Sequence, residues 1–385
     1  MSRHLAWFFF AMVMLAVSAP LQALNYEVGG CKTGSGYVNF TTISAAVAGV
    51  PAGATIQICP GVYPEQVTIT QPLTLKGIGF NNANRAMITI NPNGSLAPNV
   101  TSSINGLPFY AQVLVQNINP AGPVSIIGIT VDGSGDNAGC SAETLAGIFY
   151  ASGTSGTVNE VTARNQVNGG CGWGIWVENG AASSQTITIE NSSVHNQGNG
   201  GIGNFGIGSG GISAVSIVPP TLSAAIRGNF LSSTGGEAGL GVAGNDAILS
   251  ETNGEISGNV ITSNPQFATS IYACCDSVVV SGNTVANNTA GFGIEIYSGM
   301  TAQGNKLSNV GYSIVAHSDT ATTIKSNTIK NTLCGLSFGG ASSGTISGNT
   351  LNDSFYGFAN WGGPPIGGNS LYNVDNVMST TSDCP

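Results

Sequence analysis

Positive charge is scarce in this chain. Nine Lys and Arg stand against 18 Asp and Glu in 385 residues, a formal net charge of −9 with only 7% of residues charged. No basic cluster could follow a phosphate backbone, which argues against nucleic acid as a partner. Bulk charge does not favour binding of any other polyanion either. Histidine is limited to three residues and no C-x-x-C occurs, so the usual zinc-ligand spacings are missing. Long apolar runs are lacking too. The run from Leu5 to Val17, behind Arg3 and His4, is too short to span a bilayer and has the length of a signal-peptide core. Residues 1–23 therefore read as a signal peptide, with Leu21-Gln22-Ala23 before the cut; an uncleaved anchor is the other reading. No later stretch is apolar enough to cross a membrane, so the expected destination is outside the cytoplasm, extracellular or periplasmic.

What the chain has in quantity is glycine, 56 residues, together with Asn, Ser and Thr. These residues repeat. IRGNFLSS, ISGNVITS, VSGNTVAN, QGNKLSN, IKSNTIKN, ISGNTLND and IGGNSLYN carry Asn229, Asn259, Asn283, Asn305, Asn327, Asn349 and Asn369, at steps of 30, 24, 22, 22, 22 and 20 residues. A second feature shares the period: a small residue then an apolar one, as in SIYA from Ser270, GIEI from Gly293, SIVA from Ser313 and GLSF from Gly335. The unit, about 22 residues of short alternating runs, contains no helical pattern and cannot bury its apolar side alone. Stacking solves that: each unit becomes one coil of a parallel β-helix solenoid with Ile and Val in inward columns. Each Gly-Asn is expected at a corner, with Asn tolerating the left-handed backbone and its side chains stacking as a hydrogen-bonded ladder. The solenoid is expected as one domain over residues 24–385, most regular over 226–372. Residues 41–50 should form a helix that covers the open end of the core, capped by Thr42 and burying Ile43, Ala46, Val47 and Val50. Residues 92–108 read as a long loop and 197–211 as a Gly-rich insertion. The tail after Tyr372 is expected to close the far end, pinned by Cys384.

The segment TISAAVAGVPAGATIQICPGVYPEQVTITQPLTLKGIG, from Thr42 to Gly79, resembles the opening of the pectate-lyase-like, right-handed parallel β-helix superfamily, and the later Gly-Asn coils resemble its repeat region. Together they cover most of the mature chain. The resemblance implies an all-β fold, a right-handed solenoid, and a carbohydrate as the expected partner. It transfers no catalytic residues, because the superfamily spans lyases, hydrolases, esterases, epimerases and non-catalytic surface proteins. The Asp and Arg motifs of pectin methylesterases, the G-H-G and R-I-K of polygalacturonases and the D-P-H-D-like motif of alginate epimerases are all missing here.

All eight cysteines lie beyond the apolar run, an even number that points to disulfides in an exported chain. Cys31–Cys59 and Cys140–Cys171 are the expected pairs, and Cys274-Cys275 reads as structural. The strand register then locates a candidate site. With Ile271, Ile294 and Ile314 inward, one outward column reads Trp176, Ser213, Leu249, Tyr272, Glu295, Val315, and its neighbour reads Glu178, Val215, Glu251, Cys274, Tyr297, His317. Glu295, His317 and Glu251 are the candidate catalytic residues; Tyr272, Tyr297, Trp176 and Glu178 are the candidate substrate contacts. Aromatic rings beside carboxylates suit a sugar, the rings covering apolar sugar faces and the acids bonding hydroxyls. No cofactor is implied, although Asp132 and Asp136 in VDGSGD offer oxygen ligands that could suit calcium. The expected function is binding or processing of an extracellular polysaccharide by a monomer. The alternative is a non-catalytic surface or adhesion scaffold.

Overall fold

The computed structural model describes residues 25–32, 34–78, 88–94, 96–103, 106–136, 144–167, 172–180, 183–196, 200–206, 222–232, 246–262, 269–274, 277–317, 321–338, 344–359 and 367–379. The signal-peptide segment, Cys140, Cys171, Cys275, Cys384 and Ser213 and Val215 of the expected columns lie outside these residues.

One coil shows how the residues build the solenoid. Val278–Ser281 lies on a 13-stranded parallel sheet, here face A. The chain turns at Gly282 and enters the long strand Thr284–Ile296, which bends midway and supplies both a short face B and a broader face C. Thr301–Gln303 then starts face A of the next coil. Parallel pairing keeps the apolar columns in line: Val280, Ala302, Ile324 and Ile346 on face A, and Val285, Leu307, Ile329 and Leu351 on face B. Ile271, Ile294 and Ile314 form the face C column and are fully buried, as the alternation requires. The small residue that precedes each of them marks the bend. Ala247 also faces the core, next to Ile248, so two consecutive residues point inward there. At Gly293 and Gly335 a Cβ would meet the Leu307 and Leu351 side chains at 2.5 and 2.4 Å, which explains the small residue in the repeat.

The corner between faces A and B corrects one expectation. The left-handed backbone belongs to the residue before each Asn: Gly228, Gly258, Gly282, Gly304, Ser326, Gly348 and Gly368 have φ between 56° and 76°. Glycine takes that conformation without Cβ cost, which leaves the Asn free to turn its side chain inward. Asn283 Oδ1 accepts from the backbone N–H and the Nδ2 of Asn259, while Asn283 Nδ2 donates to Ile256 O and to Asn305 Oδ1, all at 2.9–3.0 Å. The pattern recurs from Asn229 to Asn369, so each rung satisfies buried polar groups of two coils.

The expected cap helix forms over Ile43–Gly49, with Thr42 Oγ1 accepting from Ala45 N at 3.1 Å. Ile43, Ala46, Val47 and Val50 are all buried beneath it. Glu65 of the opening motif accepts from the backbone N–H groups of Ile43 and Ser44 at 2.8 and 2.9 Å, placing a carboxylate at the helix N-terminus. The Cys31–Cys59 disulfide is present; Cys274 and Cys334 are also disulfide-bonded, and the described residues contain no free cysteine. No helix among them is long and apolar enough to cross a membrane.

Three segments differ from the sequence reading. The stretch read as the loop 92–108 contains Val100–Thr101, which pairs antiparallel with the start of Pro108–Val115. The stretch read as a Gly-rich insertion contains the strand Gly200–Gly206, which fills a face C position between Gly172–Asn179 and Asp246–Glu251. Gly203 and Phe205 therefore take the column places expected for Ser213 and Val215; the high glycine content hid the strand. Residues 373–379, expected to close the far end, continue the strand Ser370–Ser379; the rest of that tail lies outside the described residues.

Candidate functional site

The N-terminal half of face C is covered. Phe109, Phe149, Trp173, Trp176 and Leu249 form a second apolar cluster on its outer side. Trp176 packs edge-on against Trp173 with centroids 4.9 Å apart and lies tilted 5.1 Å from Phe109, and is 6% exposed. Glu178 is 1% exposed and accepts from Ser102 Oγ, Ser103 N, Ser103 Oγ and Trp176 Nε1. Expected on the sequence as substrate contacts, these two residues are buried, and Glu178 holds Ser102 and Ser103 over the face. The covering chain lies 75 positions away in sequence, so the register alone could not reveal it.

The face opens where this cluster ends. Tyr272 packs against its edge, and the registers place Leu249, Tyr272, Glu295 and Val315 in one column. Glu251, Cys274, Tyr297 and His317 follow in the neighbouring column, as the alternation predicts. His317 Nε2 lies 2.6 Å from Glu295 Oε2, and Thr269 Oγ1 donates to Glu295 Oε1 at 2.7 Å. Both carboxylate oxygens are therefore engaged. The His317 side chain is 36% exposed and that of Glu295 only 10%, so the imidazole is the member of the pair that a ligand can touch. Tyr297 stacks on the His317 ring with centroids 4.9 Å apart. The Tyr272 hydroxyl donates to the Tyr297 hydroxyl at 3.0 Å, which fixes both rings edge to face. Burial is the main cause that raises the Tyr272 pKa, with the Tyr297 hydroxyl adding to it.

The structure adds two members to this cluster. Asp246 pairs in register with Thr269, one row ahead of the bend. Burial pushes its carboxyl up to about 7; the charge of Glu295 adds to the rise, the Thr269 hydrogen bond opposes it, and the charge of Glu251 adds again. Thr269 thus sits between two carboxyl groups. A hydrogen-bonded chain runs from Thr269 through Glu295 to His317. Glu251 is not part of it. It lies three strand spacings from His317 in the same column, roughly 14 Å by the usual 4.8 Å step.

The described Lys and Arg residues avoid this face. Lys76, Arg227 and Lys325 lie on face A, Arg164, Lys306 and Lys330 on face B, and Lys32 before the first full coil. The Asp132 and Asp136 pair, expected on the sequence as possible calcium ligands, already binds donors. Asp132 accepts from Arg164, Asn165 and Ser134, and Asp136 from Gly94 N and Gln112. A carboxylate pair filled with N–H and O–H donors does not suit a cation.

Residues 223–374 match the family described as the right handed beta helix region, and this stretch holds all seven Asn rungs and the His317 cluster. The chain is a right-handed parallel β-helix. A comparison with curated proteins finds no match to it. Solved β-helix structures resemble it at low identity. The A-module of the mannuronan C-5 epimerase AlgE4 from Azotobacter vinelandii is 14% identical, with a TM-score of 0.48, over 88% of this chain and 93% of that one. The lacto-N-biosidase from Eubacterium ramulus is 10% identical, TM-score 0.45, over 97% and 70%. The surface adhesin PfbA of Streptococcus pneumoniae is 14% identical, TM-score 0.38, over 87% of each chain.

Proposed function

We propose that this β-helix binds and processes a polysaccharide outside the cytoplasm, with His317 on face C as the general base. The observation that carries the reading is the Thr269–Glu295–His317 chain. If Nε2 donates its hydrogen to Glu295, Nδ1 holds the lone pair that accepts a proton from a sugar hydroxyl or a water. Glu295 is a positioning residue: it fixes the imidazole tautomer and stabilises the cation that forms. Tyr297 and Tyr272 offer ring surface on which the apolar side of a sugar can rest. Disulfides at Cys31–Cys59, Cys274 and Cys334 support an oxidising compartment.

The test is product formation from a panel of neutral and acidic polysaccharides, read as new reducing ends. Turnover lost in His317→Ala, and reduced in kcat with little change in KM in Glu295→Gln, is the expected pattern. Turnover unchanged by both substitutions would remove His317 from the chemistry. No product from any polymer would favour the scaffold reading.

A further inference from the structure

A groove of about 490 Å³ lies at the corner between faces B and C on the last coils, away from Glu295 and His317. Asn331, Leu333, Asp353, Phe355, Asn373 and Asp375 are among the residues that line it. The corner itself is a second ladder, exposed this time. Asn287, Asn309, Asn331, Asp353 and Asn373 all adopt left-handed backbone, with φ between 50° and 61°. Asn309 Nδ2 donates to Asn287 Oδ1 at 3.1 Å, and Asn331 Nδ2 to Asn309 Oδ1 at 2.6 Å. Asn373 Nδ2 donates to Asp353 Oδ1 at 2.8 Å. The row breaks at Asp353. A carboxylate has no hydrogen to give to the Asn331 amide oxygen on the neighbouring coil. Two acceptors therefore adjoin at the centre of the groove, where every other step of the row pairs a donor with an acceptor.

We propose that this groove binds a neutral glycan chain. Sugar hydroxyls supply the missing donors to Asn331 Oδ1 and the Asp353 carboxylate. Phe355, 43% exposed, and Leu333, 37% exposed, give the apolar surface that a sugar face covers. The Phe355 ring is held edge-on by Tyr356 at 4.8 Å, so little freedom is lost on binding. Charge decides the class of ligand. Asp353 and Asp375 line the groove and no Lys or Arg does, so a polyuronate would meet like charge without compensation. The site is separate from the His317 chemistry. Where both hold, Tyr356, Cys334, Tyr312 and Phe292 occupy the row that continues to Thr269 and Asp246, so one chain could run from the groove towards His317.

Affinity electrophoresis of the full chain tests this, in native gels containing mixed-linkage β-glucan, galactomannan, arabinoxylan or polygalacturonate. Retention is expected in at least one neutral gel and not in polygalacturonate. Phe355→Ala should lower the affinity about tenfold, which is about 1.4 kcal/mol. Asp353→Asn restores a donor to the row, so it should weaken retention while leaving the melting temperature unchanged or raised. Retention of Phe355→Ala equal to the parent, retention in polygalacturonate alone, or no retention in any gel would each overturn the proposal. Retention is read apart from turnover: a protein held by a neutral gel through Phe355, yet forming no product, keeps the groove and loses the reading of His317.

Discussion

Replacing Asn305 by Ala is the sharpest probe of what holds the coils in register. Asn305 is fully buried and its side chain makes four hydrogen bonds. It accepts from Asn283 N and Asn283 Nδ2, and donates to Val280 O and Asn327 Oδ1, all at 3.0 Å. Truncation orphans the two Asn283 donors and removes one bond to the Val280 carbonyl, which stays within its strand pairing, while Asn327 Oδ1 still accepts from the Asn305 backbone at 2.9 Å. Each orphaned buried group costs about 1–3 kcal/mol, so the expected loss is about 2–6 kcal/mol. Asn331→Ala in the exposed row is the control. It removes one solvent-accessible side-chain bond and leaves Ala in a left-handed conformation, for a cost of about 1–2 kcal/mol. Urea unfolding, with the slope compared between variants, measures both, and limited proteolysis shows whether opening starts near the substituted coil. Equal losses in the two variants would refute the reasoning, because they would mean that burial of the rung adds nothing.

Two further outcomes are expected. Asp246 titrates near 7 in the folded chain against an ordinary 3.8, so the folded state holds an extra proton between those values. Its contribution is complete below about pH 4, declines as pH rises, and is gone above about 7, a change on the order of 4 kcal/mol. Asp246→Asn should flatten that decline in urea midpoints taken from pH 4 to 8; an unchanged slope would remove Asp246 as its source. Ser326 has a φ of 56° where the neighbouring coils place Gly304 and Gly348. Ser326→Gly should therefore stabilise the chain by up to about 1 kcal/mol, read as a higher urea midpoint, and a lower midpoint would show that the serine side chain outweighs the backbone strain.

The inward columns were legible because a strict period of two and a near-constant coil length both constrain them. Ile271, Ile294 and Ile314 are buried, and the pairs Tyr272 with Glu295 and Tyr297 with His317 fall on adjacent coils as the alternation requires. The same alternation hid Asp246. Two steps before Ile248 it should point to the core, but Ala247 and Ile248 both face inward and shift the phase at the bend. Thr269 was missed for the same reason, being one residue ahead of Ser270. Trp176 and Glu178 were placed in the right columns, yet their surroundings come from a segment remote in sequence. Period gives orientation; it does not tell which outward residues another part of the chain will cover. The roles of Gly and Asn at the corner do not separate in the sequence because both tolerate left-handed backbone; only the demand of the buried rung for an amide separates them.

The Asn ladder also sets how the chain can change length. Successive rungs are 30, 24, 22, 22, 22 and 20 residues apart, yet every rung makes the same bonds. Coils of 20 to 30 residues are thus accommodated without disturbing the rungs themselves. The first six amides all point the same way, with each Nδ2 reaching the Oδ1 of the following rung. A whole coil spliced in between Asn283 and Asn305 would find an amide oxygen on one side and an amide hydrogen on the other. The solenoid is therefore a ratchet for evolution: it can lengthen by entire turns, and tolerate loops of any size between them, as long as each new turn brings its own asparagine.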